Sequence, residues 1–315
     1  MAQPSTQWSE VIGEDEEQRH ADFTGVILAL QSRINARKGP GRAFHRKPVA
    51  ALTGRLIVPS GLPEHAAQGL FAEPGEHDVV VRMSNGSVVP QADPVPDIRG
   101  FAFSVRGLEG DGALGATTDR QDFLLINWPA FGFRDSRDFA ALVPEAAKGQ
   151  KALAEHLVSR HGVVGGPIAM LRQAASLARP FSGFATSDFH SCAPVAWGPY
   201  AAHVHVSGIG ASRNLLAWRD WGADIRERIA RGPLRWHVQA QFYTDPQGTP
   251  IEDGRAPWRS AKETVAVLEA DALADPEEVE ADHFDPWAAL AAHRPLGEIM
   301  RARRAAYFPS FQNRT

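Results

Sequence analysis

Hydrophobic residues recur along this chain with two different periods, and the change of period divides it into blocks. Between residues 16 and 37, Phe23, Val26, Ile27, Leu30 and Ile34 follow an i, i+3, i+4, i+7, i+11 stripe, which predicts one amphipathic helix lying against something larger. Gly39 and Pro40 end it. From Ala50 to about Trp128 the pattern shortens into ALTGRLIVP, HDVVVRMSN, RGFAFSVRG and QDFLLINWP, separated by Pro, Gly, Asp and Asn. Four strands are predicted there.

Residues 136 to 179 return to helical spacing through Phe139, Leu142, Val143, Leu153, Leu157 and Val158, and Pro180 stops the run. Strand patterning resumes in YAAHVHVSG and in LRWHVQAQFYTD, where Trp236, Val238, Ala240 and Phe242 alternate with Arg235, His237, Gln239 and Gln241. A helix carrying Leu215, Leu216, Trp218, Trp221 and Ile225 is predicted between those strands. ETVAVLEA forms the final strand, and LGEIMRARRAAYF a last helix closed by Pro309. About seven or eight strands in two blocks, split by helices and not alternating with them one by one, predict an α+β fold built on an antiparallel β-barrel decorated by helices. The expected division is a helical arm over 1–40 and one domain over 41–315.

Composition narrows the partners more than the fold. An apolar share of 43%, a charged share of 22% and a formal charge of -4 describe an ordinary soluble globular protein and argue against nucleic acid or anionic membrane surfaces as partners. MAQPSTQWSE carries no basic and apolar leader, and no segment runs through 18 uncharged apolar residues, so a cytoplasmic location is expected. The single cysteine, Cys192, excludes an internal disulfide and any multi-cysteine zinc site, and reads as a small core filler rather than a nucleophile.

Twelve histidines invite a metal reading. His203 and His205 stand two apart on a predicted strand, so their rings share one face. No carboxylate or third histidine follows at a familiar ligand spacing, so a hydrogen-bonded face is favoured and a cupin-like metal site is the weaker alternative. On the last helix, Arg303 and Tyr307 are four apart and share a face. A guanidinium there would favour the phenolate and make it an oxygen donor suited to ferric iron; an exposed arginine beside an amphipathic tyrosine is the plainer alternative. Near the other end, His45 precedes the first strand, and Arg82 and Ser84 lie on one side of the second. A hydroxyl could fix the tautomer of a histidine that shuttles protons, and an arginine could meet a cofactor carboxylate.

Taken in order, these pieces resemble the catalase superfamily. RAFHRKPVAALTGRLIV resembles the segment with the distal histidine, VVVRMSNGS the strand whose arginine binds a haem propionate and whose serine supports that histidine, and DIRGFAFSVRG a stretch with an Arg-Gly-Phe-Ala core. QDFLLINWPAFGFRD resembles the strand with the distal asparagine, and RRAAYFPSFQNR the proximal pattern. Five segments thus match in order across roughly residues 42 to 314.

The resemblance implies haem b as cofactor, with Tyr307 as axial ligand, Arg303 as the charge beside it and His45 as acid-base. It further implies that Ser84 orients His45, that Asn127 holds the peroxide oxygen, that Arg42, Arg82 and Arg314 pair with propionates, and that Phe131 guards the distal side. Ile126-Asn127-Trp128-Pro129-Ala130-Phe131-Gly132 departs from the family: aligned on the proline, the first of two asparagines becomes Ile126 and a second phenylalanine becomes Gly132. The implied activity is that of a short catalase-related haem peroxidase acting on hydrogen peroxide or an organic hydroperoxide, with a small organic donor and assembly into a homo-oligomer. The alternatives are rearrangement or cleavage of a fatty-acid hydroperoxide, oxygenation of a small metabolite, and haem binding without turnover.

Overall fold

The computed structural model describes residues 3–177 and 180–314, with side chains left aside over 172–179. Four strands fill the first β block as the alternation predicts: β1 (Lys47–Val58), β2 (Gly75–Asn85), β3 (Arg99–Asp111) and β4 (Thr117–Ile126). They form an antiparallel meander, with Ser84 opposite Gly100 and Gly100 opposite Ile126. The second block contributes β5 (Asp188–Ser191), β6 (Val195–Trp197), β7 (Tyr200–Gly208), β8 (Leu234–Phe242) and β9 (Lys262–Leu273). Eight of the nine close into a barrel in the order β1-β2-β3-β4-β5-β7-β8-β9, and β6 adds on beside β7. The closing element is β5, four residues that pair with β4 on one edge and β7 on the other. It is too short to carry an alternation, which is why the hydrophobic pattern does not announce it.

Period-two alternation sorts each strand into an inner and an outer face. Val81, Met83, Phe101, Phe103, Phe123, Phe189, Val204, Val206, Trp236 and Val238 fill the barrel, each at most 3% exposed. Large interdigitated side chains leave the interior as core, not as a channel. Chemistry is therefore displaced to the outer face.

Helices cover that face where β2, β3 and β4 present it. These are α1 (Glu16–Lys38), α2 (Ser136–Lys148) and the C-terminal α6 (Glu298–Gln312); α3 (Gln150–Leu177) packs on α2, and α4 (Trp221–Ile229) and the short α5 (Pro276–Ala281) pack against β1. The α1 stripe is buried at Phe23, Ile27, Leu30 and Ile34, and Phe23 and Ile27 pack with Ile299, Ala302 and Ala306 of α6. Buried Gln31 donates to the carbonyls of Gly41 and Ser310 at 2.8 and 2.9 Å. Buried Glu298 accepts from the Ser136 amide at 2.8 Å and fastens α2 to α6.

Two expectations need correction. The helix drawn through Leu215, Leu216 and Trp218 begins only at Trp221, where the Asp220 carboxylate accepts from the Ala223 amide at 2.8 Å; Leu215, Leu216 and Trp218 are exposed. The N-cap fixed the start, and the upstream apolar residues were not part of a buried stripe. Pro309 does not close the last helix, which runs on to Gln312. The helical run expected over 136–179, whose last two residues lie outside the described ones, is broken at Gly149 and again inside α3 at Gly162, whose φ values of 120° and 76° are open to glycine and strained for other residues.

Candidate functional site

One cavity of about 360 Å³ lies between the outer face of β2–β4 and the helices. Its walls are mostly apolar, drawn from Phe23 and Ile27 of α1, Leu124 and Ile126 of β4, Phe131 and Phe133 beyond β4, and Phe139 and Val143 of α2. The polar groups that reach it come from chain segments far apart in sequence: Arg42 and His45, Arg82 and Ser84, and Arg303, Tyr307 and Arg314. An apolar pocket of this size with a few convergent polar groups is the usual form of a cofactor or ligand site.

His45 is held in a backbone conformation that few non-glycine residues adopt, with φ of 53°. Three contacts pin it. Its amide donates to the Gly86 carbonyl at 3.1 Å, its own carbonyl accepts from Arg82 Nη2 at 2.8 Å, and its Nδ1 lies 3.1 Å from Ser84 Oγ. Burial, with Arg82, Arg303 and Arg42 adding positive charge nearby, pushes the imidazole pKa down to about 3. His45 is therefore neutral at ordinary pH, and it lines the cavity. A neutral imidazole with one nitrogen fixed by a hydroxyl can take up a proton and return it.

Gly100 makes this arrangement possible. A Cβ there would stand 2.4 Å from His45 Nδ1 and 2.8 Å from Ser84 Oγ, closer than real Cβ atoms approach. Glycine inside a strand is a signal of close approach, so this position could have been found in the sequence, although no role was drawn for it.

On α6, Arg303 donates to Tyr307 Oη through Nη2, and its guanidinium carbon stands 5.1 Å from the tyrosine ring centre. Burial alone would lower the Arg303 pKa; contact with Tyr307, and the neighbouring Cys192 and Asp285, raise it instead. The four-residue spacing thus gives the predicted pairing. Cys192 lines the same cavity, and burial pushes its thiol pKa up while Arg303 opposes the shift.

A third cluster holds Arg42, Arg82 and Arg314. Arg82 is buried at 4% exposure, and its Nε and the Arg42 Nε both donate to the Glu280 carboxylate, the latter at 3.3 Å. Arg314 stacks on Phe311 at 5.1 Å, yet its Nε and Nη1 are buried without any hydrogen-bond partner. Buried donors left unpaired are costly, so Arg314 Nε and Nη1 are suited to an acceptor on a ligand.

The other sequence-derived candidates fall differently. Phe131 lines the cavity and stacks on Phe139 with ring centres 6.1 Å apart. Asn127 does not: its Oδ1 accepts from the Arg99 amide at 2.7 Å, closing the β3–β4 ladder. Ile126 faces the cavity instead, because register puts it directly across from Gly100 and alternation turns Asn127 away. His203 and His205 are buried outside it. His203 Nδ1 lies 2.9 Å from Ser191 Oγ, and His205 joins His190 at 2.6 Å and Gln241 at 2.9 Å. Among the described residues, no group of three or more His, Cys, Asp and Glu side chains is placed to hold a metal ion. Glu280 and Cys192 are additions that sequence reasoning left without a part in the site.

Haem is the group that the resemblance implies, and the residues fit it. An oxygen donor held by a guanidinium suits ferric iron, apolar walls suit a porphyrin, and three arginines including one orphan suit its carboxylates. No protein-family model matches the chain, and no curated protein matches it in sequence. Among solved structures, its whole length aligns with a fungal catalase at a TM-score of 0.69 and 18% identity, with catalase A from Saccharomyces cerevisiae at 0.69 and 17%, and with a bacterial catalase at 0.62 and 16%. It spans 65%, 67% and 63% of those chains, about two thirds of their length. An eight-stranded antiparallel barrel that aligns end to end with these structures means that the chain has a catalase-like fold.

Proposed function

We propose that the chain is a haem-dependent oxidoreductase of catalase or peroxidase type that takes a peroxide as its oxidant. One observation carries the reading: a neutral, serine-held His45 and an arginine-held Tyr307 line the same apolar cavity. Tyr307 would supply the oxygen that ligates iron, with Arg303 favouring negative charge on it. Arg314, Arg82 and Arg42 would meet the porphyrin carboxylates. Bound haem would supply the redox chemistry that no side chain in the cavity offers.

The chain's own contribution is proton handling and exclusion of water. His45 would take a proton from one oxygen of a peroxide and return it to the other, so that water or an alcohol can leave as the O–O bond breaks, provided that the two electrons and the acceptor for the remaining oxygen atom come from bound haem. Its low pKa keeps the accepting form present down to about pH 3. Ser84 keeps the ring aimed, and the phenylalanines shield the reacting atoms from bulk solvent.

Haem-loaded protein should show a high-spin ferric Soret band with a phenolate charge-transfer feature, and should oxidise a peroxidase dye when peroxide is added. Tyr307→Phe should remove that feature and weaken haem binding by roughly tenfold or more. A spectrum unchanged by Tyr307→Phe would overturn the ligand assignment. A second reading, rearrangement or cleavage of a fatty-acid hydroperoxide, is favoured by Ile126, which puts an apolar side chain on the cavity wall across from Gly100. Mass spectrometry after incubation with such a hydroperoxide tests it; intact substrate counts against it.

A further inference from the structure

The arginine cluster is unevenly matched, and the mismatch has a direction. Arg42 and Arg82 share a single carboxylate, that of Glu280, while Arg314 keeps two buried donors unpaired. Asp282 offers its carboxylate elsewhere, to Arg106 and Arg120. Glu280 does not line the main cavity. It lines, with Arg82, a separate hollow of about 90 Å³ against Pro48–Ala51 and Pro276. The carboxylate thus sits behind the arginines, and Arg42, Arg82 and Arg314 face the cavity.

Three guanidiniums share one bonded carboxylate, and although Asp285 and Tyr307 also lie near Arg314, positive charge is in excess on the cavity side. Burial, together with Arg82 and Arg314, pushes the Arg42 pKa down to about 9, as expected of like charges crowded together. Glu280 is held below its ordinary value because its contacts with Arg82 and Arg42 outweigh burial.

We propose that Glu280 is a resident counter-ion that holds the arginine cluster together without a ligand and leaves on its cavity side the excess positive charge that a dicarboxylate ligand completes. The inference rests on the haem reading above and deepens it. Without Glu280, Arg42 and Arg82 keep only backbone acceptors and lose the carboxylate bonded to them, and a buried charge that loses its counter-ion is strongly penalised. A dicarboxylate ligand restores the pairing, so the empty form suffers more than the filled one. Removal of Glu280 therefore lowers the stability of the empty protein and tightens dicarboxylate binding. An esterified ligand brings no charge and gains nothing. A residue that only ties α5 to the barrel would shift both ligands alike.

The full chain freed of haem, and its Glu280→Gln variant, are melted and then titrated with iron protoporphyrin IX and with its dimethyl ester, followed by porphyrin absorbance and by quenching of tryptophan fluorescence, since Trp128 lines the cavity. The empty variant should melt roughly 5 °C lower. It should bind the dicarboxylate about tenfold tighter and the ester within about twofold of the native chain. Unaltered melting, equal shifts for both porphyrins, or weaker dicarboxylate binding would overturn the proposal. Should Glu280→Gln not fold, Arg42→Gln keeps the test open: with one positive charge fewer, its preference for dicarboxylate over ester should fall about tenfold, and an unchanged preference overturns the idea. A native chain that binds neither porphyrin sinks the haem reading itself, and the melting comparison then decides the part played by Glu280 alone.

Discussion

Two histidine–serine pairs in this molecule have the same chemistry and different surroundings. His45 Nδ1 stands 3.1 Å from Ser84 Oγ, and His203 Nδ1 stands 2.9 Å from Ser191 Oγ. Burial lowers both imidazole pKa values, to about 3 and about 4. Yet His45 opens onto a cavity shared with Tyr307, whereas the His203 ring packs edge-on against Trp258 at 4.6 Å and lines no part of that cavity. A buried His–Ser pair is therefore not a site by composition. Access to a reacting molecule makes the difference, and access belongs to the outer face of β2–β4.

Substituting the two histidines should separate them most sharply. His45→Ala should lower peroxide-driven dye oxidation by the haem-loaded protein about 1000-fold, the upper part of the range for a lost acid-base group. His203→Ala should leave that rate within about twofold and instead cost roughly 3 kcal/mol of stability in a melting experiment. A rate loss at both positions would erase the contrast.

Gly100→Ala tests how tightly the first pair is built. The new methyl would meet the His45 ring at 2.4 Å, so turnover should fall roughly 50-fold at a stability cost of about 1–3 kcal/mol. Native turnover in this variant would mean that the ring moves freely. Serine removal is milder: Ser84→Ala should slow turnover about tenfold, and Ser191→Ala should reduce only stability, by about 1–2 kcal/mol. Rates and urea midpoints together distinguish these outcomes.

Acid is the gentlest probe near neutrality. His45, His203 and His293 are folded with pKa values of about 3, 4 and 4, against an ordinary value of 6.5. The unfolded chain takes up protons at higher pH than the folded one, so this stability is fully present above pH 6.5 and is lost as pH falls from there towards 4 and 3. Urea midpoints should be flat from pH 8 to 7 and should decline below 6.5. His203→Ala should make the decline shallower.

The helical stripe of α1, the four strands of the first block and the Arg303–Tyr307 spacing are all local facts, and they were legible in the sequence. The four-residue strand β5 was not, nor was the exposed position of Leu215 and Leu216. An apolar letter reports what could be buried, while the packing decides what is. Asn127 and Ile126 teach the same lesson at the site. Their order along the chain does not say which faces the cavity, and register with Gly100 does.

What the sequence determined alone was a set of periods and spacings: which residues share a face, where a helix yields to strands, and which pairs sit four apart. Those follow from bond geometry and need no distant neighbour. Tertiary structure alone decided that His45, Arg82 and Tyr307 meet, that Glu280 stands behind the arginines, and that His203 is packed away from the cavity. Each of those depends on closing the barrel and laying α6 across it, which brings residues hundreds of positions apart within reach through buried apolar surface that no local pattern specifies.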